Sequence, residues 1–194
     1  MIDLSSDQAQ KDLLNRQYSL RFNALRNALY HTSRRSHFDL MSRAINFLII
    51  MAGTSSVAGL VASYSLQPVS GAFIAGLGAA QLVFDFSRRS ADHQILSRDY
   101  WGIIAALEAE PNPSPKSVAD LDAKMALLSG TEEASYRAVD AQAYNHALRA
   151  QGDHKGDSLL HVPFLHKIFG QYFRFAGPDY QTIRERKSAH SRKK

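Results

Sequence analysis

The chain contains no cysteine. That excludes a disulfide scaffold, Cys-ligated zinc, an iron–sulfur cluster and a cysteine nucleophile. There is no glycine before Gly53 and no proline before Pro68, so no strong helix breaker interrupts the N-terminal part. No phosphate loop, dinucleotide-type glycine pattern or nucleophile elbow occurs. Among the eight histidines, His31 and His37 are six apart and His161 and His166 five apart. Neither spacing is the i, i+4 geometry of a helical metal pair. No enzyme activity, cofactor or bound metal is therefore expected.

The most informative absence is one of charge. Between Arg43 and Asp85 lie 41 consecutive residues without Lys, Arg, Asp or Glu. In a chain with 21% charged residues, an even scatter would put about eight there. The 194 residues suit one domain or somewhat more, and 45% hydrophobic content is too high for a disordered chain.

The uncharged stretch divides into two apolar runs, about 44–64 and 69–86, separated by Ser65-Leu66-Gln67-Pro68. Each has the length of a bilayer-spanning helix, and Pro68 favours a turn between them. Strands of that length would leave unpaired edges in lipid. The reading is a membrane helical hairpin. Arg34, Arg35 and Arg43 precede it, Arg88 and Arg89 follow it, and the loop is uncharged. The positive-inside rule then places both termini in the cytoplasm. A signal peptide is not expected, since the first 43 residues are polar and charged. The alternative is a soluble all-α interaction protein with a buried hairpin.

The runs carry polar and small residues in patterns. Asn46, Ser55, Ser56 and Gln81 are costly in lipid unless another helix satisfies them. They are the candidate pore-facing or interhelical polar residues. Asp85 would sit at the cytoplasmic mouth, where a carboxylate ring favours cations. Gly71, Ala75 and Ala79 recur at i+4, as do Ala72, Gly76 and Ala80. Small residues at that spacing let helices approach closely. They serve either the hairpin itself or, as preferred here, a homo-oligomer.

Two long helical arms flank the runs. The first is predicted from about Asp7, capped by Ser6, with a stripe of Leu14, Tyr18, Phe22, Leu25 and Leu29. The second carries Leu96, Tyr100, Ile103 and Leu107 and stops near Glu110, before Pro111-Asn112-Pro113-Ser114-Pro115. Folding about the turn sets Leu25 opposite Ile104 to Leu107 and Leu29 opposite Tyr100 to Ile103, an antiparallel pair. Asp39, Asp85, Asp92 and Asp99 lie among the arginines and could form ion pairs across the arms.

The basic arm from Arg34-Arg35 through Arg43, the exit Phe86-Ser87-Arg88-Arg89-Ser90-Ala91-Asp92-His93 and the following Tyr100-Trp101-Gly102-Ile103-Ile104-Ala105-Ala106-Leu107-Glu108 together resemble the SLATT domain family. These are two-transmembrane effector domains of bacterial conflict systems. The resemblance covers about residues 15–110 and rests on layout rather than on an invariant motif. It implies a membrane-embedded defence effector of the bacterial inner membrane. Such a protein would oligomerise to form a pore or breach the bilayer when a sensor or nucleotide-synthetase partner signals infection. It implies no catalytic residues. A membrane-anchored, non-toxic scaffold is the alternative.

The organisation read from the sequence is thus a two-transmembrane domain over 1–110, a Pro-rich linker over 111–115, a small helical segment over 116–182 and a basic tail over 183–194. In the segment, Val118, Leu121, Met125 and Leu128 share one helix face, ended by Gly130. Thr131-Glu132-Glu133 is read as the cap of a second helix, with Tyr136, Val139 and Ala143 inward. Pro163 opens a third, with Leu165, Phe169 and Tyr172 in line. The aromatic cluster Phe164, Phe169, Tyr172, Phe173 and Phe175 reads either as a small core or as an interfacial helix. The tail, from Ile183, carries six basic residues against Glu185, the whole net charge of +5. It is expected to be disordered, and the neutral remainder gives no nucleic-acid-binding face.

Overall fold

The structure, a computed structural model, describes residues 4–57, 67–152, 156–175, 177 and 179–191. The protein is all-α, 81% helical with no strand among the described residues. The helices are α1 (Leu4–Val57), α2 (Gln67–Phe84), α3 (Phe86–Ala109), α4 (Pro115–Thr131), α5 (Arg137–Ala150), α6 (Phe164–Phe169) and α7 (Ile183–Ser191). One antiparallel bridge joins Leu160 to Thr182.

Several boundaries differ from the sequence reading. Gln67 and Pro68 belong to α2 rather than to a turn, because proline is tolerated in a first helical turn, where its missing N–H has no partner to lose. Ser65 and Leu66 lie outside the described residues. The second apolar helix ends at Phe84, two residues early. Already at Leu4 α1 is helical, so Ser6 lies inside it.

The chain forms two compact units, 1–33 with 95–194, and 34–94. In the first, the core joins Leu20, Ala24, Leu25 and Ala28 of α1 to Tyr100, Ile103, Ile104 and Leu107 of α3, Val118 of α4 and Ala147 of α5. The stripe drawn through Leu14 and Tyr18 is corrected, for those side chains are 50% and 58% exposed while Ala24 and Ala28 are fully buried. Alanine permits close helix approach. Ser97 Oγ donates to the Ala28 carbonyl at 3.1 Å and lies 2.9 Å from Thr32 Oγ1. Further along, Arg21 Nε donates to Glu108 at 2.9 Å, so the contacts between α1 and α3 run in opposite sequence directions.

Ser114 caps α4, accepting from the Ser117 amide at 3.1 Å, with Pro115 in the first turn. The linker therefore ends at Ser114, one residue before the expected boundary. Val118 is fully buried, and Leu121, Met125 and Leu128 pack against the same core. Gly130 does not end the helix, which runs to Thr131. Nor does Thr131-Glu132-Glu133 cap α5, which starts at Arg137 without a side-chain cap. Glu132 is engaged elsewhere. It accepts from the Tyr100 hydroxyl, and its Oε1 lies 3.1 Å from Nε2 of buried His31. Burial, then the bond to Glu132, pushes the Tyr100 hydroxyl up to about 12.

The third helix is only α6, six residues long. The expected disorder of the basic tail is also overturned over 183–191, which form α7. Thr182 and Glu185 make a reciprocal capping box. The Thr182 amide donates to Glu185 Oε2 at 2.7 Å, and the Glu185 amide to Thr182 Oγ1 at 3.2 Å. Hydrogen bonding to the carboxyl from the Thr182 amide, then from the Thr182 side chain, holds Glu185 below its ordinary value.

Candidate functional site

The candidate site lies in the unit of residues 34–94, where the end of α1 and all of α2 carry the uncharged stretch. Large apolar side chains stand exposed along it. On α1 they are Leu40, Phe47, Leu48, Ile50 and Met51, and on α2 Val69, Phe73, Leu82, Val83 and Phe84. One helical stretch among the described residues, 69–109, is long and apolar enough to cross a bilayer. Its most apolar 18-residue window has a mean hydropathy of 1.5, and none of that window is buried. Thr54, on the same surface of exposed side chains, returns its hydroxyl to the Ile50 carbonyl at 2.9 Å. This back-bonding satisfies a hydroxyl without solvent.

Polar contacts within the unit centre on Ser42. Its Oγ accepts from Gln81 Nε2 at 3.1 Å and lies 2.9 Å from Ser87 Oγ. Gln81 thus does have an interhelical partner, while its Oε1 is buried with none among the described residues. Asn46 is exposed and has no hydrogen-bond partner among the described residues. Ser55 and Ser56 lie on the α1 backbone, and their side chains fall outside the described residues.

Asp85 joins α2 to α3 in a left-handed conformation with φ of 43°. Its amide still bonds the Gln81 carbonyl at 3.1 Å, and its carbonyl accepts from Arg89 at 3.1 Å. Its carboxylate accepts from the Arg88 amide at 3.3 Å, capping α3. A short polar side chain is what allows a non-glycine residue this conformation.

Gly71, Ala72, Ala75, Gly76 and Ala79 are exposed and Ala80 is half-buried. A methyl group added at Gly71, Gly76 or Gly78 would meet nothing within 4 Å. Among the described residues, then, these glycines make no close packing contact.

Of the flanking arginines, Arg35, Arg43, Arg88 and Arg89 are exposed, whereas Arg34 is only 3% exposed. Arg34 is thus set apart from the other four, with its side chain buried. Its guanidinium sits 4.6 Å from the centre of the Phe38 ring, with Arg89 at 5.9 Å and the His93 ring stacked at 5.5 Å. An aromatic face attracts a cation most strongly when water is excluded. Desolvation, reinforced by Arg34, holds the neighbouring His37 below its ordinary value. The resolved ion pairs of this region are local. Asp39 pairs with Arg43 at 2.8 Å and Asp99 with Arg98 at 3.4 Å, each within one helix rather than across the arms.

Sequence reasoning missed Ser42, Ser87, Phe38 and His93. Ser42 and Ser87 lie just outside the two apolar runs, and Phe38 four residues after Arg34, a spacing that stacks side chains on one helix face.

No family model, curated protein or solved structure matches this chain.

Proposed function

We propose that the chain is a membrane-embedded effector of a bacterial defence system. It sits in the inner membrane as a helical hairpin with both termini in the cytoplasm. Copies assemble, and on a trigger from a sensor or nucleotide-synthetase partner they open a pore or breach the bilayer.

The observation that carries this reading is the exposure of the apolar stretch in a chain that builds an ordinary buried core elsewhere. Full burial of one large apolar side chain is worth about 1.5–3 kcal/mol. Leaving Phe47, Ile50, Phe73, Leu82 and Val83 in water forfeits that gain at each position. A hydrocarbon surround removes the cost. Assembly draws support from the two small-residue ridges of Gly71 and Gly76, which meet nothing close among the described residues, from the Asn46 side chain, which has no hydrogen-bond partner among them, and from the buried Gln81 Oε1. In lipid, polar groups of this kind are satisfied by neighbouring helices. The SLATT-like layout supports the defence role.

Induced expression should depolarise cells, and purified protein should leak ions from vesicles. Replacing Gly76 and Ala80 together with leucine should abolish both oligomers and leakage. Vesicles that hold their contents in the presence of oligomer would overturn the pore and leave an anchored scaffold.

A further inference from the structure

Within the unit of residues 1–33 and 95–194, α6 lies directly on α5. At Gly170 an added methyl group would come within 2.9 Å of the Ala138 Cβ and 2.5 Å of the His166 carbonyl oxygen, so only glycine permits the contact. Asn145 pins the segment leading to α6, donating to the Leu160 carbonyl at 2.8 Å and accepting its amide at 2.7 Å. The His161 amide bonds the Gln181 carbonyl at 2.9 Å, tying in the strand-like approach to α7.

These ties border an open cleft of about 270 Å³. Arg149 and His146 of α5, His161, and Lys167 of α6 stand on its walls, and among the described residues no carboxylate does. None of the four side chains has an ion pair or hydrogen bond among the described residues. Several other cations of the same unit do have carboxylate partners, among them Arg16 with Asp122, Arg21 with Glu108, Arg26 with Asp140, Arg137 with Asp179 and Lys187 with Asp157. Arg149 and Lys167 thus bring two positive charges to the cleft that no carboxylate among the described residues neutralises.

The second observation is apolar. On the helix that supplies Lys167, Phe164, Leu165, Ile168 and Phe169 are exposed, and Tyr172 and Phe173 follow, also exposed. From Ser158 to Gly177 there is no acidic residue. The reading of the aromatic cluster as a small core is thereby corrected for these side chains. A free phosphate would answer the charge and leave the aromatic surface in water. An amphiphile answers both.

We propose that this face docks on an anionic phospholipid, with the phosphate-bearing headgroup in the cleft and the α6 side chains among the acyl chains. Cations near an anionic bilayer gain about 1 kcal/mol each, close to fivefold in affinity, and aromatic side chains favour the interfacial depth. The docking rests on the effector reading only for bringing the chain to a membrane.

Because the chain has no cysteine, Ile168→Cys in the full-length protein accepts a single environment-sensitive fluorophore. The labelled protein, in neutral phosphatidylcholine nanodiscs, is titrated with short-chain phosphatidylglycerol, short-chain phosphatidylcholine or inorganic phosphate. The emission should shift to the blue with phosphatidylglycerol at a midpoint at least about tenfold lower than with either alternative. Arg149→Ala with Lys167→Ala should raise that midpoint more than tenfold, and Lys167→Arg should leave it nearly unchanged. Both positions are exposed, and circular dichroism verifies folding. An equal midpoint with inorganic phosphate would reduce the cleft to a phosphate site and overturn lipid docking. No shift with any of the three would overturn it too. A second probe at Phe73→Cys separates the two readings. Burial there with silence at Ile168 leaves the membrane reading standing, whereas exposure there counts against that reading alone.

Discussion

Gln81 Nε2 donates to Ser42 Oγ at 3.1 Å, across 39 residues of sequence. The bond ties α2 to α1 in the unit that carries the apolar surface. In membrane helices such bonds are worth about 0.6 kcal/mol on average and up to about 1.7. A double-mutant cycle of Ser42→Ala and Gln81→Leu, read by unfolding in micelles, should return a coupling in that range. Strict additivity would show that the contact contributes nothing.

Arg34 and Arg35 are neighbours in sequence with opposite fates. Arg34→Ala removes a buried cation from the Phe38 ring and should cost about 2 kcal/mol. The exposed Arg35→Ala should stay within about 0.5 kcal/mol. Lysine at position 34 should restore only part of the loss, because it lacks the planar guanidinium that stacks on the ring. Chemical denaturation of the three variants checks the order.

Close packing of α1 on α3 depends on Ala28, which is fully buried where Ser97 bonds its carbonyl. Ala28→Leu should overpack this contact and cost about 1–3 kcal/mol. Leu14→Ala, at an exposed site, should be nearly silent. A thermal melt of each distinguishes them. If Leu14→Ala proved the more damaging, the register assigned to the core would be wrong.

How much of this was legible in the sequence follows from the physics of each signal. The large residues Tyr100, Ile103 and Leu107 mark their buried face by period alone, as Val118 does for α4. On α1 the same search selected Leu14 and Tyr18, because the true contact is built from Ala24 and Ala28, whose small size is what brings the backbones together. Two cap signatures are written in the sequence, Ser114-Pro115 and Thr182-Ile183-Arg184-Glu185. The second was obscured by the density of positive charge around it. The burial of Arg34 had no local signal beyond Phe38 one helical turn away. In the candidate site, the uncharged stretch was visible from the spacing of charges, whereas Ser42 and Ser87 become partners only when distant segments meet.

His37 titrates below the ordinary histidine value of 6.5, chiefly because burial disfavours its charged form. The unfolded chain therefore takes up a proton at a higher pH than the folded one. Above pH 6.5 the group adds no pH dependence, and as the pH falls below it stability declines until the folded residue also protonates. His37→Gln should flatten that decline in a pH series of unfolding measurements. An unchanged slope would assign it to other groups.

The central claim is that the uncharged stretch is surrounded by lipid. In a chain without native cysteine, Phe47→Cys and Phe73→Cys each present one thiol to a membrane-impermeant maleimide. In intact membranes both should resist labelling and react only after detergent is added, while Arg35→Cys labels freely once the cytoplasmic side is opened. Rapid labelling of Phe47→Cys and Phe73→Cys from water, without detergent, would contradict the account.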